Sequence, residues 1–235
     1  MNEGGDGMDA ILYGIIAVVY MGLIIWLLQR AEPRFVWSNV LYVILIALAY
    51  DSAVMFIGNW VGEGETLYYM NYMRFVLQAL VTPLLVIFSV AILREANIEW
   101  AQRNYVFLLV VLYTLVLMSI EMILSVRELE LYVVNDYGVL RYEDPSIQIP
   151  VMLLFVTVAL LICSISMWLK YKWLWFFVGV VGITILNIMP LPAMSDVWLN
   201  VAELLFIVTL FMTKRYTRRL RYGFPNKDRA QQQEN

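Results

Sequence analysis

The chain contains no histidine and only one cysteine, Cys163. The first absence removes the commonest general base and metal ligand, which excludes zinc-dependent membrane hydrolases built on histidine clusters. The second rules out a disulfide framework within the chain. Charge is scarce as well. Only 15% of residues are Asp, Glu, Lys or Arg, against about 25% in soluble domains. Apolar residues take their place: 62% of the 235 residues are hydrophobic and the mean hydropathy is +0.74, where soluble domains hold about 45–50%. That is the composition of an integral membrane protein, and no nucleic-acid partner is expected. The first ten residues carry three acids and no base. Without a basic start or a small-residue cleavage site, the first apolar run reads as a retained span and not as a secretory signal.

Seven apolar runs have roughly the length a bilayer demands of a helix: residues 10–28, 37–59, 67–93, 105–126, 149–169, 173–189 and 197–213. The expected fold is therefore all-α, a seven-transmembrane helix bundle over residues 1–217, followed by a tail, 218–235, that begins basic and ends polar and disordered. Basic residues orient it. With the N-terminus outside and the C-terminus cytoplasmic, thirteen of the sixteen Lys and Arg fall on the cytoplasmic side; the exceptions are Arg74, Arg127 and Arg141. This predicts a multi-pass protein of the cell membrane, with its basic tail against anionic lipid head groups. A homo-oligomer or a membrane partner stays open. The longest connection, between the fourth and fifth spans, reads ELYVVNDYGVLRYEDP. Its alternation around Asn-Asp-Tyr-Gly predicts a short extracellular β-hairpin.

The third span departs most from a plain lipid-facing helix. Arg74, Gln78 and Thr82 recur every four residues, and Pro83 follows. Such spacing puts the three polar side chains on one stripe. Lipid does not solvate a guanidinium, so the stripe should face a protein interior or a wet cavity. Other spans add polar groups on the same, outer side: Asp51, Asn59, Ser119, Glu121, Asn187, Asp196, Asn200 and Glu203. The inner half offers mainly Thr157, Cys163, Ser164, Ser166 and Thr209. This lopsidedness predicts an outward-facing polar cavity over a dry half. Its expected ligand- or ion-binding residues are Asp51, Arg74, Gln78, Thr82, Glu121, Asn187, Asp196, Asn200 and Glu203, with Arg74 paired to Asp51 or Asp196. The bland alternative is helix–helix glue, each hydrogen bond worth about 1 kcal/mol.

Seven spans with this orientation are the topology of microbial rhodopsins, and the third span resembles helix C of that family. The family's arginine is followed about eight residues later by a Thr-Thr-Pro-Leu-Leu-type run; here Arg74 precedes Val81-Thr82-Pro83-Leu84-Leu85. The resemblance implies a rhodopsin-like bundle. It also marks what is missing. The retinal-binding lysine expected in the seventh span is absent; Asn200 or Leu204 stands there, and the four lysines lie at or beyond the cytoplasmic border. No Schiff base forms without a buried amine. The positions of the family's proton acceptor and donor hold Leu77 and Phe88. A covalent cofactor is excluded, and a non-covalent retinoid, carotenoid or lipid is left open.

These features favour binding of a small ligand, cation or proton for sensing or signalling. Two alternatives are an ion- or proton-coupled transporter and a membrane subunit or assembly factor. An intramembrane carboxylate enzyme is a weaker alternative. Tyr50-Asp51 resembles the Tyr-Asp of presenilin-type proteases, but the partner Gly-x-Gly-Asp is absent, because Asp196 follows Met-Ser. No enzymatic activity is expected.

Overall fold

The computed structural model describes residues 8–29, 36–127, 129–144, 151–188 and 195–222. Its elements are α1 (Met8–Gln29), a 3-10 turn at Trp37–Asn39, α2 (Val40–Val61), α3 (Glu65–Val81), α4 (Leu84–Glu95), the short α5 (Glu99–Gln102) and α6 (Asn104–Glu121). A wider turn at Met122–Val126, β1 (Tyr132–Asp136), β2 (Val139–Glu143), α7 (Val151–Tyr171), α8 (Trp175–Ile188) and α9 (Val197–Tyr222) follow. Among the described residues, six helical stretches are long and apolar enough to cross a bilayer. The expected sixth span is shorter. At 14 residues, α8 is about 21 Å long against a hydrocarbon core of about 30 Å. By length, then, six of the seven expected spans are present.

The expected third span is one stretch, Glu65–Glu95, made of α3 and α4, and it is the most enclosed: 61% of its apolar window is buried, against 22% for α1 and 17% for α6. Pro83 divides it. Proline has no N–H, so the Ala79 carbonyl loses its usual donor. The backbone tightens there, with Leu85 N–H donating to Thr82 O (3.1 Å) and Val86 N–H to Pro83 O (3.0 Å). At the end of α6 the opposite occurs: Arg127 N–H reaches back five residues to Met122 O, a π-type turn.

The expected hairpin forms. β1 and β2 pair antiparallel from Tyr132–Glu143 to Asp136–Val139. Tyr137 and Gly138 turn the chain with φ of 52° and 74°, the double positive φ of a type I′ turn. β2 packs inward, with Val139, Arg141 and Tyr142 buried, and β1 faces away. The hairpin rests on the end of α2 because Gly58 lets it approach. A Cβ at that position would lie 2.0 Å from Leu140 O. Asn59 then grips the turn, donating to Gly138 O and accepting from Leu140 N–H at 2.9 Å.

The opposite end is basic. Lys214 donates to Ser38 O and Asn39 Oδ1, and Lys170 to Asn97 O. Trp173 stacks on Tyr216 with centroids 4.2 Å apart and donates to Thr213 Oγ1. α9 runs on to Tyr222, nine residues beyond the expected end of the last span, so the first part of the basic tail continues the helix. The last ten residues, expected to be disordered, lie outside the described residues with the rest of 223–235, as do Arg30 and Arg34.

Candidate ligand cavity

Between the hairpin end and the mid-depth of the bundle lies a cavity of about 330 Å³, walled by α2, α3, α4, α7, α8 and α9. Seven of the nine residues expected to form a site line it: Asp51, Arg74, Gln78, Thr82, Asn187, Asn200 and Glu203. The stripe of Arg74, Gln78 and Thr82 on the third span faces it as a unit. Thr157, expected in the dry half, lines it too; it sits only six residues into α7, on the hairpin side.

Arg74 is the polar centre. Its Nε donates to Asp51 Oδ1 at 2.8 Å and its Nη1 to Asn71 Oδ1 at 2.7 Å. Asn71 is fully buried and donates in turn to Leu67 O. Of the two partners expected for Arg74, Asp51 is the one it takes. The side chains of the pair are 13% and 26% exposed, enclosed enough for the contact to outweigh a surface ion pair. The neighbouring Tyr50 hydroxyl donates to Met70 O, which ties α2 to α3 a second time.

Glu203 differs. No hydrogen bond or ion pair engages it among the described residues, yet it lines the same cavity as the matched Asp51–Arg74 pair. Gln78 and Thr82 are likewise unengaged. Asn187 and Asn200 spend an amide hydrogen on the carbonyls one turn back, Ile183 O and Asp196 O, which leaves their side-chain oxygens as acceptors.

Two expected residues lie elsewhere. Glu121 is buried at the top of α6 and accepts from Ser125 Oγ at 2.8 Å. Asp196 sits one residue before α9 and pairs with Arg141 of β2 at 2.6 Å. Arg141, one of the three basic residues expected away from the cytoplasmic side, is thereby buried at 5% exposure. Desolvation pulls its guanidinium down, and the hydrogen bond and charge of Glu143, with Asp196, more than reverse that and hold it above its ordinary value.

Asn71 and Arg141 are the polar partners that sequence reasoning missed. Asn71 had a readable signal, since it lies three residues before Arg74 on the same helix face. Tyr13 and Tyr20, each 1% exposed, are a further surprise. Both hydroxyls, and that of Ser52, are buried without a hydrogen-bond partner among the described residues. Tyr20 lies in the field of Glu203 and Asp51, and Tyr13 in that of Asp196 and Arg141.

Below the cavity the bundle is dry. Phe88, Ile92, Met167, Phe176 and Leu210 are essentially sealed. The hydroxyls there serve their own helices: Ser89 donates to Leu85 O, Ser164 to Leu161 O and Thr213 to Thr209 O. Among the described residues no cluster of Asp, Glu or Cys suits a metal ion.

Compared with known proteins, the chain matches no family model, no curated protein and no solved structure.

Proposed function

We propose that the chain is a seven-helix, rhodopsin-like membrane protein without Schiff-base photochemistry, and that it binds a small ligand in the cavity for sensing or signalling. One observation carries the reading: nine polar residues, the seven expected ones with Thr157 and Thr184, converge from α2, the third span, α7, α8 and α9 on one void of about 330 Å³, at the low end of the roughly 300–1,000 Å³ of ligand pockets. Helix glue would pair these groups with each other. Here Glu203, Gln78 and Thr82 stay open to the void.

The rhodopsin likeness rests on the Arg74-to-Pro83 motif and the order of helices. The occupant is non-covalent, since the described lysines, Lys170, Lys172 and Lys214, belong to the basic end. In this reading the hairpin faces outside and the basic end the cytosol, against anionic lipid. Transport is the less favoured reading, because the polar groups stop at mid-depth. Catalysis by paired carboxylates finds no support, since Asp51 and Asp196 belong to different ion pairs.

The test is extraction of the purified protein with organic solvent, together with its visible absorption spectrum. A small molecule should co-purify with the wild type and be lost from Leu160→Trp, which fills the cavity from a buried wall position. Equal recovery from both proteins would remove the cavity from the account.

A further inference from the structure

The charges and hydrogen-bonding groups of the cavity select among ligands. Its three ionisable residues, Asp51, Arg74 and Glu203, leave one carboxyl group in excess of the guanidinium. That excess is localised. Arg74 is paired with Asp51 at 2.8 Å, so Glu203 is the carboxyl without a match. Asn200 precedes Glu203 by three residues on the same helix face, with its side-chain oxygen free to accept. Asn187 presents a second such oxygen from α8. Glu203 and these two amide oxygens are therefore unspent acceptors. An ammonium supplies three N–H donors and the missing positive charge.

Most of the remaining wall is aliphatic, with Leu48, Leu77, Leu85, Leu153, Leu160 and Ile183 among its residues. Beside the exposed Asn187, the rim is aliphatic too. Leu154 is 61% exposed, Ile188 74% and Leu199 39%, where a mouth meant for water would carry charge. These exposed leucines and isoleucine open the void toward the lipid flank of α7, α8 and α9.

We infer that the cavity takes a primary-amine amphiphile from the bilayer, its ammonium on Glu203 and Asn200 and its chain among the leucines. This rests on the reading of the cavity as a ligand site, and goes beyond it by naming the class.

The experiment measures binding of n-octylammonium, n-octanol and octanoate to the full-length protein in lipid nanodiscs, by calorimetry and thermal shift. Octylammonium should bind at least tenfold more tightly than the other two, and each added methylene should tighten it about fourfold until the void is full. Glu203→Gln should abolish the preference for the amine while leaving octanol unchanged, and Glu203→Asp should keep it. Should Glu203→Gln fail to fold, the wild-type ranking and Glu203→Asp decide. If octanol or octanoate binds as well as the amine, and Leu160→Trp blocks it, the class is wrong and the ligand site survives. If none of the three binds in a manner that Leu160→Trp alters, the proposed class is wrong; whether the site itself survives is then read from the extraction experiment.

Discussion

Arg74 donates to two acceptors on two different helices, Asp51 on α2 and Asn71 on α3. In low dielectric such a group is far more costly to orphan than to replace. Asp51→Ala should therefore destabilise the protein by roughly 2–3 kcal/mol, the usual cost of orphaning a buried charge reduced for the partial exposure of the pair. Asp51→Asn should cost less, because an amide oxygen still accepts. The double variant Arg74→Met with Asp51→Leu should recover most of the loss. Thermal unfolding of the four proteins in one detergent gives the coupling directly. Additive losses would mean that the pair contributes no more than separate surface charges.

At the scale of elements, the hairpin is a clasp. It touches α2 through Gly58 and Asn59, and the residue that leads into α9 through Arg141 and Asp196. The tightest point is backbone against backbone, and it has no rotamer to yield. Gly58→Ala should thus lift the hairpin from α2 at a cost of about 1–3 kcal/mol, as expected of overpacking. Amide exchange at Tyr132–Asp136 and Val139–Glu143 would rise while that of α4 stays unchanged. Unaltered exchange at the hairpin would show that the contact is slack. The same substitution at Gly62, where a Cβ meets nothing within 4 Å but φ is 75°, tests backbone strain without the clash.

At the scale of the whole molecule, the two ends differ in chemistry. One carries the hairpin and the acidic residues around it, and the other gathers Lys170, Lys172, Lys214 and the arginines of α9. Such a split should fix orientation through the positive-inside rule. Cys163 is sealed at 2% exposure, so added cysteines can be labelled against a silent background. A membrane-impermeant maleimide applied to intact cells should modify Asn135→Cys in the hairpin and leave Arg219→Cys in α9 untouched until the membrane is broken. The reverse pattern would turn the protein over.

Membrane residence, the helical spans and the hairpin could be read from the chain alone. Each follows from a local property: apolar length, strand alternation or a turn dipeptide. The stripe of Arg74, Gln78 and Thr82 was equally legible, because helical period alone puts its members on one face. Pairing was not legible. Whether Arg74 took Asp51 or Asp196, and whether Arg141 was solvated or buried, depended on which helix ends the hairpin reached, and that is a long-range outcome of packing. The start of α8 also escaped the apolar run, which begins at residue 173 in sequence while the helix begins only at Trp175. Composition thus decided the solvent and periodicity the faces. Only the folded arrangement decided which carboxylate was left without a counter-charge, because neutralisation acts across space between residues far apart in the chain.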